Sequence, residues 1–455
     1  MNEYIKNLTG LTDNLIKFSP KFKDSERIKV IQAVPSSQSV HHQFERMTHN
    51  EVYLRQSYPS ACPHCGRLMR KNGFKTVYLK GLDIAGLPTI LVVEKQKYIC
   101  PRQEGCPELT TDLARIHGID KNHQILDKVK QQALLALTEK RSVKDISANL
   151  HISEGTVNRL FPQLAPQFKA NYKFLPPVIA FDDFSSGKFA ATQMSMALMN
   201  LQTHELLDII ESRNSYALRK YFYRYDFHAR AKVKLVIVDL YQPYRTIVRD
   251  LFPNALIVAD RFHIIAQAYR AVNQIRIQTM KAVKESNPAL SRALKRYWRY
   301  VLKDRTGLDW QSFRRYCVFG GAQLTEVELT DRLTNASEEL LGAYNYYQAL
   351  LHAMHNRNIK SLEALLTIKL TALPQPLRKT QRTLRNHQNE IKRSFETFYS
   401  NGPLEGTNNL IKVIKRIAFG YRSFYNFRLR ILLVAKNPHF KIKLRDKKGH
   451  PRWAA

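Results

Sequence analysis

The sequence predicts a multidomain α/β protein. Three observations carry that expectation: four cysteines gathered between residues 62 and 106, strand-like runs from about residue 171, and helical periodicity before and after those runs. At 455 residues and 44% hydrophobic, the chain can bury several cores, roughly three at ~150 residues each. Lys and Arg number 72 against 38 Asp and Glu, a net charge of +34, which is the balance of a polyanion binder. No run approaches the ~18 to 20 apolar residues that cross a bilayer, and no signal peptide opens the chain. DNA or RNA is therefore expected as partner, with no membrane.

Residues 1–50 carry apolar spacings that suggest an N-terminal helical segment. Residues 51–112 read as a zinc ribbon. In "CPHCG", Cys62 and Cys65 stand two residues apart and Gly66 permits the tight turn. In "CPRQEGC", five residues separate Cys100 from Cys106, so that loop must bulge to close a tetrahedron. The intervening "TVYLKGLDIAGLPTILVVEKQKYIC" alternates apolar and polar residues as short strands do. Free buried thiols, or disulfides in an oxidising compartment, are the alternatives. Cys317 stands alone and is expected in a core.

Residues 113–170 read as a helix-turn-helix DNA-binding domain. Ser142 with Asp145 makes an N-terminal cap, and Val143, Ile146 and Leu150 point inward. "HIS" makes the turn. Ser153 starts a second helix that leaves Thr156, Asn158 and Arg159 available to a major groove, although any three-helix packing unit shows the same apolar spacings.

The runs "PPVIAFDDF", "VKLVIVDLY" and "ALIVADRF" read as strands of an α/β domain over 171–263. Asp182, Asp183 and Asp239 lie at strand ends, where carboxylates can hold magnesium, a hard cation with a taste for oxygen. A turn or helix cap is the alternative for each taken singly. Residues 264–395 read as helices, with Arg292, Arg296, Arg299 and Lys303 down one face and Arg378, Arg382 and Arg385 repeating the pattern. These are DNA-phosphate contacts or a solvated face. Over 396–436, "SNGPLEGTNNLIKVIKR" puts Glu405 on the first turn of a helix, with Lys412 two turns on, then Lys415 and Arg416. An acid placed merely to favour the helix N-terminus is the plain alternative. Residues 437–455 are expected as a basic tail.

The blocks "IAFDDFSSGK", "VKLVIVDLYQPYRTIVRDLFPNALIVADRFHII" and "SNGPLEGTNNLIKVIKRIAFGYRSFYNFRLRILL" resemble the bacterial insertion-sequence transposases of the ISL-three group, and the likeness runs over nearly the whole chain. The resemblance implies a ribonuclease-H-like mixed-sheet catalytic core interrupted by a long all-helical insertion. It implies a catalytic, metal-holding triad of Asp182, Asp239 and Glu405 with Mg or Mn, Asp182 bridging two ions, and a basic partner at Lys412. Asp260 and His263 match a further family pattern and are expected to support the site. Asp183 stands where the family commonly has glutamate. Implied partners are the terminal inverted repeats, target DNA and other copies of the chain, in the bacterial cytoplasm near the nucleoid. A DNA-binding regulator that does not cut, and a nuclease that does not join, are the rival functions.

Overall fold

The structure is a computed structural model that describes residues 3–34, 43–102, 105–106, 108–120 and 122–436. The chain folds into two compact units, one built from residues up to Lys169 with those from Ile411 on, the other from Ala170–Leu410. The basic tail expected over 437–455 lies outside the described residues.

The first unit opens on α1 (Glu3–Thr9) and then forms strands where the sequence suggests helix. β1 (Ile16–Phe18) and β2 (Ile28–Ile31) both pair antiparallel with β3 (His49–Gln56). Among the described residues of 1–50, only α1 and short 3-10 turns are helical, so the helical segment expected there is a short helix followed by strands. Runs as short as "IKF" and "IKVI" fit either periodicity, and only the open edge of β3 decides between them. β3 runs parallel to β5 (Thr89–Cys100), which is flanked antiparallel by β4 (Arg70–Lys80) and β6 (Thr110–Leu113). The ribbon expected over 51–112 is therefore part of a six-stranded sheet whose buried centre is Val52, Leu54, Leu91 and Val93.

α2 (Asp127–Ala136), α3 (Val143–Leu150) and α4 (Glu154–Leu164) pack on one another. The expected cap is present: the Asp145 amide donates to Ser142 Oγ at 3.0 Å, while Asp145 Oδ2 accepts from the Ser142 amide at 3.2 Å. His151 ends α3 in the left-handed conformation, φ 50°, which turns the chain into the Ser153 cap of α4.

In the second unit, β7 (Val178–Ser185), β8 (Met194–Asn200) and β9 (Glu205–Ile210) form an antiparallel meander, and β10 (Leu235–Val238) and β11 (Leu256–Ala259) add parallel to β7. The strand order is β11-β10-β7-β8-β9. α5 (Ser215–Phe222), α6 (Phe227–Ala231) and α7 (Gln242–Leu251) lie in the segments between strands, and Phe222, Tyr244, Val248 and Leu251 bury against Phe181 and Val236 of the sheet.

α8 (Arg261–Ala282) leads into the insertion: α9 (Pro288–Arg296), α10 (Trp298–Leu302), α11 (Glu326–Thr334), α12 (Glu338–His355), α13 (Ile359–Thr367) and α14 (Gln375–Asn386) around a core of Leu329, Leu333, Leu350 and Leu362. It is not all-helical. β12 (Arg314–Tyr316) and β13 (Ala322–Leu324) make a two-stranded ribbon, closed by Gly320 and Gly321 at φ 64° and 84°. Cys317, expected in a core, is exposed at this turn. α15 (Gln388–Glu396) packs on β11. There Arg245 of α7, itself buried, meets Glu390 at 2.5 Å and His387 Nε2 at 3.0 Å.

α16 (Gly402–Ile417) follows, then α17 (Phe424–Ala435), which packs on α4 in the first unit. Buried Arg430 donates to the carbonyls of Glu139, at 2.9 Å, and Arg141, so α17 braces the α2–α3 corner. Residues from Ile411 on group with the first unit, where α17 packs on α4.

Candidate active site and metal centre

Three parallel strands bring their C-terminal ends to one sheet edge. The pairing Leu235↔Val178 and Leu235↔Leu256, continued one step past the ends of β10 and β11, sets Asp182, Asp239 and Asp260 level with one another on adjacent strands. Neighbouring strands lie ~4.8 Å apart, so the three acids form a row. The Asp260 amide still donates to Val238 O at 3.1 Å, and Asp260 Oδ1 caps α8 by accepting from Phe262 N at 3.2 Å. One turn into α8, His263 stands between two of the acids, Nδ1 at 3.4 Å from Asp239 Oδ1 and Nε2 at 3.6 Å from Asp260 Oδ2.

Glu405 sits on the first turn of α16. Its apolar stripe, Leu404, Ile411 and Ile414, is fully buried, and Asn408 occupies a place in that stripe. The Asn408 amide donates to Asp182 Oδ2 at 3.0 Å, while Asp182 Oδ1 accepts from the Asp183 amide at 2.9 Å. Asn401, just ahead of α16, donates to Asp260 Oδ2 at 3.4 Å. Neither asparagine was singled out in the sequence. The signal available there was an amide at a core position of an amphipathic helix.

Burial pushes the Asp182 carboxyl up to about 6; His263 opposes this, and Asp183 and Asp260 add to it. Burial likewise raises Asp260 and Glu405, with the Asp260 charge adding to the rise at Glu405 and His263 opposing it. Crowded acids that resist ionisation are a site short of positive charge. The buried Oδ1 atoms of Asn401 and Asn408 accept no hydrogen bond, so further oxygen donors are in hand. An all-oxygen donor set of this kind fits Mg or Mn.

The acids are not packed as tightly as a single chelate: among the described residues, only the four cysteines form a group of three or more metal-type ligands all within 4.8 Å of one another. Two ions ~3.5 to 4 Å apart require a wider spread of ligands than one ion does. Asp183 points elsewhere, bonded to Arg213 at 2.6 Å and to the Tyr244 hydroxyl at 2.8 Å. Asp183 therefore stands outside the row of acids.

In the first unit, Cys62 Sγ lies 3.7 Å from Cys106 and Cys65 Sγ lies 3.7 Å from Cys100. The Cys62–Gly66 turn closes through Gly66 N to Cys62 O at 2.9 Å, with Gly66 at φ 69°. The Cys65 amide draws the Cys62 thiol down to about 6, whereas burial pushes Cys100 up to about 12. Four sulfurs at this spacing, with a thiolate already favoured at one corner, fit a structural tetrahedral zinc ion.

On α4, Asn158 and Arg159 are exposed and the Arg159 guanidinium donates to half-buried Thr156 Oγ1 at 3.0 Å. Lys412 and Arg416 are exposed on α16, two and three turns beyond Glu405. Arg292, Arg296 and Arg299 are exposed, but Tyr297 breaks the helix between α9 and α10, so they do not follow one continuous face. Arg385 is committed to the carbonyls of Leu366 at 2.7 Å and Ile368 at 2.6 Å.

A family model described as a transposase, of the DDE type and ISL-three group, matches residues 179–431, more than half of the chain. The chain belongs to that family. A second family model, described as the zinc-finger of transposase IS204/IS1001/IS1096/IS1165, matches residues 59–106 of this transposase and takes in all four cysteines. The transposase for insertion sequence element IS1001 from Bordetella parapertussis is 24% identical over 398 residues, covering 84% of this transposase and 90% of that protein. A Lactococcus lactis subsp. lactis protein named ATP-dependent protease is 46% identical over 112 residues. That match spans 25% of this chain and 36% of that protein. No helix among the described residues is long and apolar enough to cross a membrane.

Proposed function

We propose that this transposase binds the terminal inverted repeats of an insertion sequence, cleaves DNA at the element's ends and transfers the freed 3′ ends to target DNA. The observation that carries the reading is the row of Asp182, Asp239 and Asp260 across β7, β10 and β11, with Asn408 tying the Glu405 helix to Asp182. The strand order, an antiparallel meander with two parallel strands added beside β7, supports a ribonuclease-H-like core. The capped α3–α4 pair, with Asn158 and Arg159 exposed, supports a helix-turn-helix.

Asp182, Asp239 and Glu405 would hold Mg or Mn, which when bound supplies Lewis-acid activation of the attacking oxygen and neutralises charge on the departing 3′ oxygen. Asn408 and the Asp183 amide orient the Asp182 carboxylate. His263 holds Asp239 and Asp260 apart by reaching both. Lys412 and Arg416 carry positive charge along α16, and with Arg292, Arg296 and Arg299 they meet backbone phosphates. Assembly of several copies on paired DNA ends is part of the same reading.

The test is an incubation of the protein with magnesium, a duplex carrying candidate terminal repeats, and a target plasmid. Joined products that vanish in Asp239→Ala are expected. Joining undiminished in that variant overturns the assignment. Cleavage without joining gives the nuclease reading, and binding without cleavage gives the regulator.

A further inference from the structure

The sheet of the first unit sorts its charges by face. Successive strand residues point to opposite sides, so the pairings Lys75↔Lys95, Leu79↔Leu91, Gln56↔Lys95 and Arg70↔Ile99 assign every strand residue to one side or the other. The side that holds Val52, Leu54, Leu91 and Val93 also holds Arg70, Lys75, Lys95 and Lys97. No carboxylate of the sheet's strands is on it: Glu51, Glu94 and Asp112 are all on the other side. Glu94 is in any case taken by Lys21, Arg55 and Ser19.

Lys75 and Lys95 are direct cross-strand partners, an arrangement of like charges that works against the fold. Among the described residues no ion pair relieves either of them. Burial, then Lys75, lowers the pKa of Lys95, and the attraction of Asp112 comes third. Lys75 and Lys97 are exposed, as is Arg70 beyond the bulge at Asn72 and Gly73. The two paired lysines open on a cavity of about 1090 Å³, also lined by Val77, Leu79, Arg115 and three acids, Asp13, Asp112 and Asp120. Asp13 is bonded to Gln56 at 2.9 Å and to the His117 amide at 2.9 Å, and Asp120 lies 3.7 Å from both His123 and Lys130.

We infer that this face, Arg70, Lys75, Lys95 and Lys97, grips the phosphate backbone of duplex DNA independently of α4. A face with four cations, no strand carboxylate and a self-repelling lysine pair is complementary to a run of phosphates. It carries no base-reading pattern, so the contact is indifferent to sequence. The inference rests on the reading of the chain as a DNA-binding transposase.

The probe is a fluorescein-labelled random-sequence duplex, titrated with the zinc-loaded full chain across a salt series. For Lys75→Gln/Lys95→Gln/Lys97→Gln, the plot of log affinity against log salt is expected to flatten by about 2.7, three contacts at roughly 0.9 each. Lys71→Gln, on the opposite side, leaves the slope unchanged. A wild-type slope in the triple variant, with zinc retained, overturns the inference. Should the triple variant lose zinc, Lys97→Gln at its exposed position decides: a flattening of about 0.9 supports the face and none overturns it. A loss confined to phosphatidylglycerol vesicles, with DNA binding intact, also overturns it. The joining assay separates the two readings, since a chain that joins ends with an unaltered slope sinks only this inference, and one that joins nothing but shows the flattening leaves it standing.

Discussion

The Asn408 side-chain amide lies 3.0 Å from Asp182 Oδ2, linking the helix that carries Glu405 to the strand that carries the first acid. Asn408 is one turn beyond Glu405, so this single hydrogen bond sets both the rotation of α16 and the direction of the Asp182 carboxylate. Residues that orient a metal ligand typically contribute 10- to 100-fold. Asn408→Ala is therefore expected to lower strand joining by about that factor and to raise the magnesium concentration needed for half-maximal rate. Asn408→Asp should be worse, because it adds another carboxylate to a crowded row. A magnesium titration of joining rate for the three proteins checks this.

Proton and cation compete for the acid row, and the sign follows from Asp182. Its carboxyl is raised from 3.8 to about 6. Below pH ~4 it is protonated whether the chain is folded or not. Between ~4 and 6 the unfolded chain ionises first, so the folded state loses stability as pH rises, by roughly 3 kcal/mol once past 6. Magnesium at the row offsets that loss. Thermal unfolding should thus show a larger magnesium-induced rise in Tm at pH 7.5 than at pH 5, and Asp182→Asn should reduce the difference, with Asp260 and Glu405 accounting for the remainder.

Zinc removal should unfold the ribbon rather than the whole chain. Thiols must be deprotonated to bind, so metal retention falls as pH drops below the neutral range. Cys62→Ser or Cys106→Ser is expected to lose the ion and destabilise the first unit, while Cys317→Ser, exposed and not a member of the cluster, changes neither. Metal content by atomic emission, with limited proteolysis of residues 50–115, checks this.

Arg245 and Glu390 form a buried ion pair between α7 and α15. Arg245→Met leaves Glu390 only the longer, exposed pairing with Arg249 at 3.8 Å and should cost up to about 3 to 5 kcal/mol, whereas Arg245→Met/Glu390→Leu should recover most of the loss. Urea unfolding of the two variants measures the difference. If the single and double variants are equally unstable, the pair is not what holds α15 to the sheet.

Part of this organisation was legible in the sequence. The cysteine spacing announced a metal site, and Ser142 with Asp145 announced the start of α3. The acids at 182, 239 and 260 follow apolar runs that are strands. Other features were not legible because their cause is distant in the chain. β1 and β2 are too short to declare themselves until β3 offers an edge. Asn401 and Asn408 carry no signal in the sequence that tells them from surface amides; their buried positions and acid partners do. Tyr297 interrupts a basic stripe that looks continuous when written out.

By itself the sequence determined the chemistry: which residues are acids, thiols and cations, and which periodicity each segment obeys, since these are local properties of the chain. Only the tertiary structure decided which of them meet. Parallel pairing of β7, β10 and β11 set the three aspartates level, and α16 brought Glu405 and Asn408 to them across more than 140 residues of intervening chain. α17 packs on α4 for the same reason, because burial of apolar faces and satisfaction of buried polar groups depend on neighbours in space and are indifferent to neighbours in sequence.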